Sequence, residues 1–161
     1  MELTVSKDLD DLTMTVVASF KHPVPVVWDL YADPRKLERW WGPPSHPATV
    51  VEHDLTAGGR VSYYMTSPEG DRYHGRWDVV EVDAPVGLTV IDLFADSDGN
   101  PATGMPASTM RVSIEETATG SQVTSVMTFA SLESLEQVLA MGLEEGLEQS
   151  TGQMESVLAE G

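Results

Sequence analysis

The sequence predicts a single α+β domain, in which an antiparallel sheet of about six to seven strands wraps around one long C-terminal helix. Three observations predict it: a series of β-branched runs punctuated by turn residues, a pair of proline-led helical stretches after the first run, and a change of hydrophobic period from Ser131 onward. An antiparallel sheet must bury one face, and the final helix is the element long enough to cover it.

"LTMTVVASF", Leu12 to Phe20, is apolar and β-branched and reads as the first strand. In "HPVPVVWDLYADP", Pro23 and Pro25 suit the start of a helix but not its interior, and Val26, Val27, Leu30 and Tyr31 recur at helical spacing. Asp33 then caps a second short helix with Pro34 at its first position. Leu37, Trp40 and Trp41 lie along one side of it, and Gly42-Pro43-Pro44 stops it.

"ATVVEHDLT", "RVSYYMTS", "RYHGRWDVVEV" and "LTVIDLF" follow as strands of a meander, separated by Gly58-Gly59, "PEGD" and "APVG". After the polar connection "ADSDGNPATGMP" come "ASTMRVSIEE", the hairpin signal "TATGSQ" and "VTSVMTFAS". From Ser131, a capping residue, Leu135, Leu139, Gly142, Leu143, Gly146, Leu147, Met154 and Leu158 keep helical spacing. They predict one helix of about 28 residues, roughly 40 Å long.

The length of 161 residues suits one domain, and 41% apolar with 22% charged residues is a globular composition. With no cysteine, disulfides, thiolate nucleophiles and zinc–thiolate sites are excluded. A net charge of −17 repels phosphate backbones and anionic headgroups, which argues against nucleic acid and membrane as partners. The acidic N-terminus lacks a basic n-region, and no window reaches about 18 apolar residues, so the expected location is the cytoplasm.

Motifs that carry chemistry are sparse. His22, His46, His53 and His74 make no His-x-x-x-His pair and no carboxylate cluster at ligand spacing, so neither metal nor cofactor is expected. "DSDGN", Asp96 to Asn100, copies part of a calcium loop, but the twelfth position is Ala107 rather than Glu, and it reads as a polar turn. The two catalytic candidates are Asp92 and His74. Asp92 is the odd polar residue of an apolar strand: buried, it becomes an acid or base of raised pKa, and otherwise it is an exposed or hydrogen-bonded carboxylate. His74 alternates with Tyr73 and faces the surface unless a bulge reverses it.

A twisted sheet around one helix leaves a space between them. Tyr63 and Met65 share one strand face, as do Tyr73, Gly75 and Trp77; turned toward the helix, they either line a small-molecule cavity or fill the core. Met110, Met127, Met141 and Met154 offer a deformable lining or scattered core filling. Gly142 and Gly146 are thin points over sheet or ligand, or places of close backbone packing. Trp40 and Trp41 diverge by about 100° on a helix, so one is expected to anchor it and the other to border the cavity mouth, with His46 in the loop beside. Trp28 and Phe94 complete the candidate ligand-binding set.

The element order and the stretches "HPVPVVWDLYADPRKLERWWGPP", "AGGR", "YHGRWDVVEVDAP", "DGNPATGMP" and "LEQVLAMGLEEGLEQ" resemble the START and birch-pollen-allergen-like superfamily, SRPBCC. Within it the chain is most similar to bacterial homologues of the C-terminal domain of the activator of the ninety-kilodalton heat-shock-protein ATPase, from about Leu12 to Leu158. The resemblance implies a helix-grip fold enclosing a cavity, and binding of a small apolar or aromatic molecule. It also implies two alternatives: a polyketide cyclase or dehydratase using Asp92, His74 or a tyrosine as acid or base, and a module that binds a chaperone or another protein. A homodimer is expected by analogy alone. No separate N-terminal domain like the activator's is expected within these 161 residues, so the cavity is what the resemblance is expected to carry over.

Overall fold

The computed structural model describes residues 1–160. Eight strands, β1 (Glu2–Asp8), β2 (Thr13–Phe20), β3 (Ala48–His53), β4 (Arg60–Thr66), β5 (Arg72–Asp83), β6 (Gly87–Ala95), β7 (Ser108–Thr117) and β8 (Gly120–Phe129), form one antiparallel sheet. Its order is β1-β2-β8-β7-β6-β5-β4-β3. Helices α1 (Val24–Ala32) and α2 (Pro34–Trp40) join β2 to β3, and α3 (Leu132–Ala140), α4 (Leu143–Gly152) and α5 (Met154–Ala159) follow β8. The helix-grip architecture is as expected, with more strands than the six to seven predicted.

The additional strand is β1, an edge strand paired to β2 from Glu2↔Ser19 to Asp8↔Thr13. Only Leu3 and Val5 turn inward from it, too short an alternation to register as a strand in an acidic, polar stretch. Elsewhere the alternation is followed closely. Along β2, Met14, Val16, Ala18 and Phe20 are buried, and β7 buries Met110, Val112 and Ile114 in the same period. The pairing of β2 with β8 sets the first long strand beside the last, so the inner face is continuous from both ends of the chain.

The local signals between β2 and β3 also hold. Asp33 Oδ1 accepts the Arg35 backbone N–H at 2.9 Å, capping α2 with Pro34 at its first turn. The single C-terminal helix, however, is broken. Gly142 adopts φ +90°, a left-handed conformation that ends α3, and α4 restarts with the Gly146 N–H bonded to the Gly142 carbonyl at 2.9 Å. A second turn at Gln153 separates α4 from α5. The leucine period resumes in phase across both breaks, which is why spacing alone reads them as one helix.

Candidate ligand-binding cavity

Between the inner face of the sheet and the C-terminal arm lies a cavity of about 440 Å³. Val16 of β2, Met110 of β7 and Val123, Ser125 and Met127 of β8 form its floor. Val138 of α3 and Leu143, Leu147 and Thr151 of α4 form its roof. The lining is apolar and sulfur-rich: Met110, Met127, Met141 and Met154 all border the space.

One end is an aromatic wall. Tyr31, Trp40 and Trp41 meet edge to face, with ring centroids 5.1 Å apart for Tyr31–Trp40 and 5.5 Å for Trp40–Trp41. Both tryptophans border the cavity, so the expected division between an anchor and a cavity ring is corrected. Trp40 does both tasks, since its indole N–H donates to the Leu30 carbonyl at 2.8 Å and ties α2 to α1. Trp41, just past the end of α2, turns its ring by 88° relative to Trp40 and lies against Tyr63 and Trp77.

Two other candidates stand outside the space. Trp77 is fully buried behind Trp41, at 4.9 Å between centroids, and serves as core. Trp28 packs beside Tyr31 at 6.5 Å and supports the wall from behind. Phe94, Met65, Tyr73, Gly142 and Gly146 border the cavity. No atom lies within 4 Å of a Cβ built at Gly142 or Gly146, so neither glycine serves close packing. Tyr73 and Met141 are 57% and 55% exposed while bordering the cavity, which locates its mouth, and the His46 ring lies 6.0 Å from Tyr73 at that rim.

A polar pair on the wall spans three strands. Tyr63 on β4 sits opposite Gly75 on β5, and Trp77 of β5 sits opposite Asp92 of β6. With no side chain at position 75, the Tyr63 ring lies across β5, and its hydroxyl donates to Asp92 Oδ1 at 3.1 Å. A Cβ at position 75 would come within 2.5 Å of the Tyr63 hydroxyl. The Trp41 indole N–H approaches the same hydroxyl without completing a hydrogen bond.

Burial raises the Asp92 pKa from the ordinary carboxylate value of 3.8 to about 7, and the bond from Tyr63 offsets part of that rise. Burial, then the nearby Asp92 charge, push the Tyr63 hydroxyl well above its usual 10.0. Asp92 is half-buried and hydrogen-bonded, so the raised-pKa acid and the hydrogen-bonded carboxylate are one and the same arrangement. His74 lies on the outer face, its ring 5.7 Å from Tyr64, remote from this pair. The β5 bulge falls between Val79 and Glu81, beyond His74, and leaves the alternation there intact.

Sequence reasoning missed Val16, Tyr31, Val123, Ser125, Ser150 and Thr151 on the cavity wall. The two-residue alternation with Met127 points to Ser125 and Val123; nothing local marks Val16, which joins only through the β2–β8 pairing. The "DSDGN" segment is a polar turn: Asp96 Oδ1 accepts the backbone N–H of Asp98 and Asn100 at 2.9 Å each, and the Gly99 carbonyl accepts Arg76. Among the described residues no group of three or more His, Cys, Asp or Glu side chains could hold a metal ion, and no helix is long and apolar enough to cross a membrane.

An eight-stranded sheet gripping a helical arm around an apolar cavity defines a helix-grip protein of the SRPBCC type. The chain belongs to the family described as Activator of Hsp90 ATPase homolog 1-like protein, whose model matches residues 21–159. It is similar to the crystal structure of protein Ms6760 from Mycobacterium smegmatis, with 49% identity, TM-score 0.89, and coverage of 98% of this chain and 97% of that one. A solution structure from Arthrobacter aurescens shares 39% identity at TM-score 0.93, covering 98% and 92% of the two chains. One from Staphylococcus epidermidis shares 28% at TM-score 0.83, covering 98% and 94%. No curated protein gives a significant match.

Proposed function

We propose that this protein binds a small, largely apolar or aromatic molecule in the cavity between sheet and C-terminal arm. The observation that carries the reading is the cavity itself, about 440 Å³ bounded by aromatic and methionine side chains, with a few polar groups spaced along its wall. A void of that size in a packed core is destabilising, and an occupant offsets the loss by apolar burial at about 25 cal/mol per Å². The reading places the protein in the cytoplasm.

Native mass spectrometry of freshly purified protein tests it, with a co-purified small molecule as the expected result. A thermal-shift survey of hydrophobic and aromatic compounds gives the second measurement. A protein that carries nothing and shifts with no compound defeats the reading.

The Asp92–Tyr63 pair favours a second reading, a cyclase or dehydratase in which Asp92 acts as general acid or base on a bound substrate. Turnover of a polyketide-like substrate that disappears in Asp92→Asn distinguishes it from binding alone. The family description suggests a third, a module acting on a chaperone ATPase, tested by adding the protein to the chaperone of its own cell.

A further inference from the structure

We propose that the cavity selects ligands whose apolar body carries a hydrogen-bond donor, a hydroxyl or an amine, which Asp92 receives at the aromatic end, and that it rejects carboxylates. The inference rests on the ligand-binding reading and adds the chemistry of the ligand's polar group.

Asp92 is the one acidic residue on the cavity wall, and no lysine or arginine of the described residues joins it there. A ligand carboxylate would therefore be buried beside a like charge with no cation to pair it, an arrangement strongly disfavoured at low dielectric. The other polar side chains on the wall are the hydroxyls of Tyr31, Tyr63, Tyr73, Ser125, Ser150 and Thr151 and the His46 ring at the rim, and none brings a fixed positive charge. The chain's net charge of −17 adds a field of the same sign.

The hydrogen-bond directions set the preference for donors. Tyr63 donates to Oδ1, so its single proton is committed and cannot serve a ligand acceptor. Oδ2 makes no hydrogen bond to another protein group among the described residues, and an ionised carboxylate only accepts. Gly75 and Trp41 hold the Tyr63 ring in place, so Oδ2 is the position left for a ligand N–H or O–H. The raised Asp92 pKa fits a carboxylate that lacks a full set of donors when the cavity is empty.

A matched series with one apolar body tests the inference: biphenyl, para-phenylphenol, para-phenylbenzylamine and para-phenylbenzoate, titrated at pH 8 by quenching of tryptophan fluorescence. The phenol and the amine are expected to bind roughly ten- to a hundredfold tighter than biphenyl, the range of one hydrogen bond to a charged group, and the benzoate weaker than biphenyl. Asp92→Asn, which keeps an acceptor for Tyr63 but presents an amide N–H in place of Oδ2, is expected to erase the preference for the phenol and to improve the benzoate. His74→Ala, on the outer face of β5 and away from the cavity, is expected to leave the preference as in the parent protein.

Equal binding of biphenyl and the phenol overturns the inference while leaving the binding reading intact, and so does a preference unchanged in Asp92→Asn. Failure of all four compounds, biphenyl included, on protein with no co-purified molecule overturns the binding reading itself.

Discussion

The side-chain amide of Gln153 donates to the Gly42 carbonyl at 2.6 Å and to the Trp40 carbonyl at 3.4 Å. Two carbonyl partners fix which end of the amide faces them, since only the NH₂ donates. The Trp40 carbonyl ends α2 and the Gly42 carbonyl lies just past its cap, and Gln153, at the turn between α4 and α5, reaches both from across the molecule. The C-terminal arm is thereby tied to the tryptophan wall.

Replacing Gln153 by leucine leaves those carbonyls without their donor. Urea unfolding is expected to show a loss of about 1–3 kcal/mol, the usual consequence of orphaning buried polar groups. A loss under about half a kcal/mol would mean that water takes over the cap.

Gly75 is required by Tyr63 rather than by its own backbone. A methyl group there meets the Tyr63 ring and hydroxyl, so Gly75→Ala is expected to displace the ring from Asp92 and to destabilise by about 1–3 kcal/mol. In a Tyr63→Ala background the same substitution should lose most of its effect. Additive losses in that double-mutant cycle would refute the steric account.

Legibility in the sequence followed the range of the forces involved. Strand faces, the Asp33 and Ser131 caps and the placement of Tyr63, Met65 and Tyr73 depend on neighbours within a few residues, and alternation and capping rules reach them. The expectation that Trp28 and Trp77 line the cavity failed because an aromatic on the inner face is equally at home behind the wall; depth is set by packing of distant elements, here Trp41 over Trp77. The Tyr63–Asp92 bond spans 29 positions and needs the register of three strands plus a glycine in the middle one. Its components stand in the sequence, but their meeting does not. The break at Gly142 was hidden because the apolar period continues through it.

Gly142 and Gly146 make a sharp pair for that reason. Neither Cβ would touch another atom within 4 Å, so the sign of each alanine substitution is set by the backbone alone. Gly142, at φ +90°, is expected to lose about 1 kcal/mol as alanine, and Gly146, inside α4, to gain about 0.5–1 kcal/mol. The melting temperatures should move in opposite directions by about 2–4 °C, read by calorimetry. Because Gly146 borders the cavity, Gly146→Phe should also lower ligand uptake while the fold persists.

Asp92 makes a further, pH-dependent prediction. Its folded pKa of about 7 lies above the ordinary 3.8, so the folded state holds this proton more tightly than the unfolded chain does. The stability this contributes is full below pH 4 and is lost as pH rises through about 7. The chain carries 26 acidic side chains in all, so the test is a difference between two proteins. Asp92→Asn has no proton to lose and should track the parent at pH 4, then exceed it by about 1–3 kcal/mol at pH 8. A tenfold change in proton affinity corresponds to about 1.4 kcal/mol, and the lower range applies because the side chain is only half-buried. Urea midpoints for both proteins at pH 4, 6 and 8 measure it, and a constant difference across that range would show that the carboxyl is solvated in the folded protein. A bound amine should narrow the gap at pH 8, because its ammonium compensates the same buried charge whose desolvation opens it.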